Sequence, residues 1–164
     1  MVEFALVAPL VLFLLFGVVE SSLLLFSVGT ARYAAGEGAR QASELGNATN
    51  TDTSAVQVIR TGPLGQTSLV TVSEIDIRRM VQDPVTQKLT PDTSLADNRY
   101  RLDGSAISSP VAWPPANRNV RNGTSDFLEL EIKYQYSWKT GSLLARGPLQ
   151  LSQRFDVRLE PQTY

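Results

Sequence analysis

The chain has no cysteine and no histidine. Disulfides, thiol nucleophiles, imidazole acid–base pairs and most transition-metal sites are thereby excluded together. Catalysis would have to rest on carboxylates, Ser/Thr, Lys or Tyr, and no carboxylate pair has a catalytic context. Neither sign of charge is in excess, with 15 basic against 16 acidic residues. The basic residues do not cluster, so nothing marks a surface for nucleic acid or anionic lipid. The expectation is a chain that is not an enzyme, binds no nucleic acid directly, and needs no cofactor and no metal. A further lack is positional: no basic residue precedes Arg32. A secretory signal opens on basic residues and has a short apolar run before a small-residue cleavage site. A signal-anchor carries positive charge on its cytoplasmic flank.

What the N-terminus does have is length and grease. Between residues 4 and 31 the one charge is Glu20, and Leu, Val, Phe and Ala dominate. As a helix this stretch spans about 42 Å, against about 30 Å for the hydrocarbon core of a bilayer. It reads as a retained, membrane-compatible helix, with Pro9 costing one hydrogen bond and predicting a kink. A plain anchor has no use for Glu3 or Glu20, because a carboxylate in hydrocarbon is costly unless paired. Glu20 needs a partner or a proton. Arg32 lies three turns away and cannot reach it within one helix.

The helical pattern continues through GTARYAAGEGARQASEL. Ala31, Ala34, Ala35, Gly38, Ala42 and Leu45 recur at three- and four-residue steps as a small-residue stripe. Such a stripe lets another surface approach closely. Gly46-Asn47 then ends a helix of about 65 Å.

Residues 46–164 read as a β-rich globular domain with long loops. Residues 46–67 are turn-rich, with a short strand or helical turn at 54–60. A strand is expected over 69–77, its alternation blurred at Ser73-Glu74, and residues 83–124 read as proline-rich loop. The clearest signal is 127–138, where Leu128, Leu130, Ile132, Tyr134, Tyr136 and Trp138 share one face opposite Glu129, Glu131 and Lys133. Residues 151–159 supply an antiparallel partner, with Leu151, Phe155, Val157 and Leu159 inward. A one-faced sheet needs a cover, and the stripe at 31–45 is the natural one. The expected fold is α+β: a long N-terminal helix, apolar in its first half and Ala/Gly-striped in its second, packed on a small antiparallel sheet. Asn47 and Asn122 fit the N-glycosylation acceptor pattern, although solvated loop is the simpler reading. The oxygen-rich stretches 50–53 and 92–103 match no calcium loop. Trp113 is either an adhesive surface aromatic or a pin for its loop.

VEFALVAPLVLFLLFGVVE, followed by ARYAAGEGAR, resembles the TadE-like pilins of the tight-adherence (Tad) branch of type IV pili. There an acidic-plus-Phe start leads into a proline-containing apolar stretch, a second Glu, and an Ala-rich A-x-E-G-A-R piece, here residues 35–40. The C-terminal RFDVRLEP is similar to the family's end, whereas the middle of the chain carries no resemblance. The resemblance implies a pilin-like plan and a subunit made with a short basic leader. In the family the glutamate lies a little further from the cut, so Met1 reads as an internal residue of the mature chain or as a differently defined start. It also implies assembly residues Glu3, Phe4, Pro9 and Glu20, with Glu3 neutralising an N-terminal amine in the packed bundle. The implied partners are copies of the chain in a helical filament, other pilins and the assembly machinery, and the inner membrane before assembly. The implied role is surface attachment from an extracellular pilus. The alternatives are a single-pass anchored extracytoplasmic binding domain that does not polymerise and, more remotely, a carboxylate enzyme on the same anchor.

Overall fold

The computed structural model describes residues 2–140 and 147–162, with side chains from residue 6 onward. Glu3 and Phe4 lie in the first turns of a helix, and their side chains are outside the described residues. That helix, α1 (Val2–Leu45), has 44 residues and runs through Pro9, a length of about 66 Å. It ends at Gly46, whose φ of 55° is the left-handed cap conformation that glycine adopts without strain. The carbonyls orphaned at that end find donors. Ala42 O accepts from Gly46 N at 3.0 Å, Ser43 O from Glu160 N at 3.2 Å, and Glu44 O from Gln162 Nε2 at 3.0 Å. The chain's far end is thus tied to the end of the helix.

Two short helices follow, α2 (Thr51–Thr61) and α3 (Pro63–Gln66). Of the two readings of 54–60, short strand or helical turn, the structure has the helical one, extended to a three-turn helix that buries Ala55, Val56 and Ile59 on one face. Then come β1 (Val70–Gln82), β2 (Leu89–Pro91), β3 (Asn98–Tyr100), β4 (Phe127–Tyr136) and β5 (Leu149–Arg158). The sheet is antiparallel, in the order β2-β1-β4-β5, with β3 also on β1. The blurred alternation at Ser73-Glu74 is a register shift between Val72 and Glu74. This bulge lets Ile75 and Ile77 rejoin the core face. The 83–124 stretch is not all loop, since β2, β3 and a single 3₁₀ turn (Pro115–Asn117) punctuate it.

One core joins these parts. Ala31, Ala34, Ala35, Ala39 and Ala42 of α1 and Ile59 of α2 meet Ile75, Ile77, Leu130, Ile132, Tyr134 and Tyr136 of the sheet. The fold is α+β and pilin-like, a long helix with an antiparallel sheet laid on its second half. Small side chains are what permit it. A Cβ built at Gly38 would stand 2.9 Å from Ile59 Cδ1 and 3.0 Å from Leu130 Cδ1, so helix and sheet close on each other with no room for a methyl group.

Candidate functional site

The N-terminal helix is two different surfaces in series. From residue 6 to 19 it is apolar and largely exposed among the described residues. Leu6, Leu10 and Leu14 are 75%, 62% and 64% exposed, and eight further large apolar side chains of this stretch are exposed with them. An apolar surface of this extent has to be covered by lipid or protein. The few hydroxyls further along are satisfied inside the helix. Ser22 Oγ donates to Val18 O, Ser27 Oγ to Leu23 O and Thr30 Oγ1 to Phe26 O, each at 2.8 Å. Among the described residues this one helix is long and apolar enough to cross a membrane.

The change of surface falls at Glu20, which is only 2% exposed. Its carboxylate closes a cradle made by the end of β4 and the turn after it. Tyr136 Oη donates to Oε1 at 2.5 Å; Thr140 N and Oγ1 donate to Oε2 at 2.8 and 2.7 Å; Lys139 N reaches both oxygens at 3.2 Å. The partner that Glu20 needs is therefore a set of neutral donors, not a cation. Burial and the adjacent carboxylate push the Tyr136 hydroxyl up to about 12, so it stays a proton donor. Trp138 stacks edge-on against Tyr136 at 5.6 Å. Lys139 Nζ donates to Ser68 O at 2.8 Å, which fixes the turn to the start of β1. Beyond it one face of the helix enters the globular core, while Leu25, Phe26 and Tyr33 on the other face stay exposed.

The other sequence-predicted residues fall as follows. Ala31, Ala34, Ala35, Gly38 and Ala42 are buried against the chain's own sheet and α2. Pro9 is on the exposed apolar half. Asn47 is half-buried beside the helix cap, and Asn122 is exposed in a turn. Trp113 is buried and is a pin: its backbone N donates to Asn98 Oδ1 at 2.9 Å, and the Arg118 guanidinium lies 4.5 Å over its ring. Phe155, expected inward, is 42% exposed. A Cβ built at Gly36 of α1 would stand 3.5 Å from its ring, at the open side of the sheet.

Two features were not legible in advance. Asp52, in the first turn of α2, accepts from Arg118 Nη2 at 2.5 Å, Tyr100 Oη at 2.8 Å and Asn98 Nδ2 at 3.0 Å. All four side chains are buried, and they lock the 98–118 excursion onto the helix. The signal was an acid inside an otherwise apolar helix face. The outer face of the sheet was also expected to be solvated, yet Asp76, Glu129 and Glu131 are buried there. Longer cationic side chains roof them. Arg78 reaches Glu131 at 2.5 Å and Glu129 at 3.3 Å, Arg154 reaches Glu131 at 3.0 Å, and Lys133 reaches Asp76 at 2.6 Å. The Arg99 hydrogen bonds hold Glu74 down at about 2, while burial pushes Asp76 up to about 6.

Residues 1–40 match the family model described as TadE-like protein. The N-terminal segment is TadE-like. The match covers the apolar half of α1, the Glu20 level and most of the small-residue stripe. It stops short of the sheet and does not reach the C-terminal RFDVRLEP. No curated protein and no solved structure matches the chain.

Proposed function

We propose that this chain is a structural subunit, a pilin or minor pilin, of a type IV/Tad-like pilus, and not an enzyme. It would polymerise through the TadE-like helix and serve surface attachment. The supporting observation is the division of α1 at Glu20. An apolar half has no partner among the described residues, while the other half is built into a folded domain that carries the helix as one unit. In the cytoplasmic membrane the apolar half is covered by lipid. In an extracellular filament it would be covered by copies of itself, other pilins completing the assembly. Each Å² of apolar surface withdrawn from water contributes about 25 cal/mol. Glu3 would then set register by meeting a positive group of a neighbour.

Filaments sheared from cells and imaged by electron microscopy, with mass spectrometry of their subunits, test this reading. Filaments containing the chain, and lost in Glu3→Ala, support it. A chain absent from every filament and retained in the membrane would contradict it. That result would favour the anchored, non-polymerising binding domain. The exposed stretch is long enough for that role, since residues 2–19 rise about 27 Å, close to the thickness of a bilayer core.

A further inference from the structure

The two edges of the sheet differ. At one, β2 is three residues long and ends in Pro91, which has no N–H, while β3 is bridged to Ala106 and its Arg99 O accepts from Ile107 N at 2.7 Å. The other edge is β5, whose ten residues pair in the sheet with β4 alone. Leu159 N donates to Asp126 O at 2.9 Å, which extends the β4–β5 register by one pair. Bonded and non-bonded pairs alternate in an antiparallel ladder. Odd-numbered residues of β5 therefore turn their backbone groups to β4, and even-numbered ones turn theirs to the open edge. Arg158 O accordingly accepts from Ser43 Oγ of α1 at 2.7 Å. The edge-facing groups of Gln150, Ser152, Arg154 and Asp156 meet no donor or acceptor among the described residues.

The side chains of this edge select its occupant. Asp156 is exposed and stands opposite Glu129, a like charge, with no cation at ion-pair distance among the described residues. Arg154 is exposed too, and engages Glu131 through Nε alone at 3.0 Å. Between them the Phe155 side chain is left exposed. Laid antiparallel against itself about Phe155, the edge is self-complementary. Arg154 of each copy faces Asp156 of the other, and both turn their backbone groups to the edge, as a hydrogen-bonded pair requires. Ser152 faces Arg158, where α1 takes over the edge and the ladder ends; beyond it Gln150 lies opposite Glu160. No like charges are directly opposed, and the two Phe155 rings meet on the twofold axis.

We infer that β5 of one copy pairs antiparallel with β5 of a second copy about Phe155, joining two sheets into one through reciprocal Arg154–Asp156 contacts. β5 runs in the same direction as α1, with Phe155 at the level of Gly36 and Arg158 at that of Ser43. At the Phe155 level α1 lies behind β4 and β5, with Gly38 against Leu130 and Gly36 against Phe155, and leaves the edge clear. The twofold axis sets the two α1 helices antiparallel, so their apolar halves leave in opposite directions. Copies inserted in one membrane share an orientation. This contact therefore links chains held in different membranes or different filaments, not neighbours in one. It goes beyond the polymerisation reading and does not depend on it.

The absence of cysteine allows a test of register on the full chain in detergent. Directly opposed residues of a non-hydrogen-bonded pair have Cα atoms about 4.5 Å apart, within reach of a disulfide. Phe155→Cys is expected to give covalent dimers on mild oxidation. Gln153→Cys is expected to give none, because its two copies lie about 14 Å apart across the axis. Equal dimers from both variants, or none from either, would overturn the pairing. Asp156→Arg tests the charges with Phe155 in place. It gains Glu129 within its own copy, so melting should not fall, but it sets Arg against Arg154 twice. Sedimentation equilibrium is expected to show the dimer dissociation constant raised about tenfold, and restored when this variant is mixed with Arg154→Asp. An unchanged constant, or a wild-type chain that stays monomeric, would contradict the inference.

Discussion

The two halves of α1 are one continuous helix with opposite solutions to the same problem. Residues 6–19 carry large side chains that stay exposed among the described residues. Residues 31–42 carry Ala and Gly on the face that the sheet and α2 lie against, and that face is covered from within. The comparison shows that side-chain size sets what a helix can pack against. A Leu face suits lipid or another greasy helix, whereas an Ala/Gly face suits a flat sheet at close range. Glu20 stands between the halves and welds the domain to the helix at the level where the apolar surface begins.

The comparison can be broken most severely in the first half. Leu14→Asp places a charge in the middle of the apolar stretch, at about 3 kcal/mol in a membrane. It is expected to abolish both membrane retention and filament incorporation while leaving the detergent-solubilised domain's melting unchanged. Fractionation and thermal denaturation check the two arms. At the boundary, Glu20→Ala leaves the Tyr136 hydroxyl and two backbone N–H groups without their acceptor. It should cost about 3 kcal/mol of domain stability, with Glu20→Gln losing less, as read by chemical denaturation. In the second half, Gly38→Val forces Ile59 and Leu130 aside and should cost about 2 kcal/mol. The same change at Gly29 should be near neutral for folding.

The smallest effect is one of pH. Asp76 has its pKa raised, to about 6, so the fold favours its protonated form. Stability from this group is full below about pH 4, the ordinary aspartate value, and is lost as pH rises through 6. Glu74 is the opposite case. Its contribution is present above about pH 4.5 and is lost as pH falls toward 2. Melting temperature should therefore peak between about pH 4 and 5. Asp76→Asn should reduce the decline on the alkaline side of that peak, to which Glu129 also contributes, and Glu74→Gln the decline on the acid side, which Glu131, Asp83, Asp92 and Asp103 share.

The sequence disclosed what periodicity can carry. The alternation of 127–138, the Ala/Gly stripe and the length of the apolar run were enough to place a sheet on the second half of a long helix. Glu20 could be marked as needing a partner, but its partners lie 116 or more residues away in sequence. Only the antiparallel register of β4 brings Tyr136 and the following turn to it. α2 was hidden because its polar residues look turn-like until Asp52 is paired with Arg118. The buried carboxylates of the outer sheet face were hidden for a similar reason. A Glu next to a Lys along one strand looks solvated, and its burial comes from arginines on the two neighbouring strands.

The central claim is that the apolar half of α1 is an intermolecular surface and the second half an intramolecular one. A helical reconstruction of filaments sheared from cells by cryo-electron microscopy tests it most directly. The expected result is a filament core made of residues 6–19 from many copies, with the sheet domains outside and each still seated on its own helix at Glu20. A chain found only in the membrane, or a filament in which the sheet has left its own helix for a neighbour's, would contradict the account.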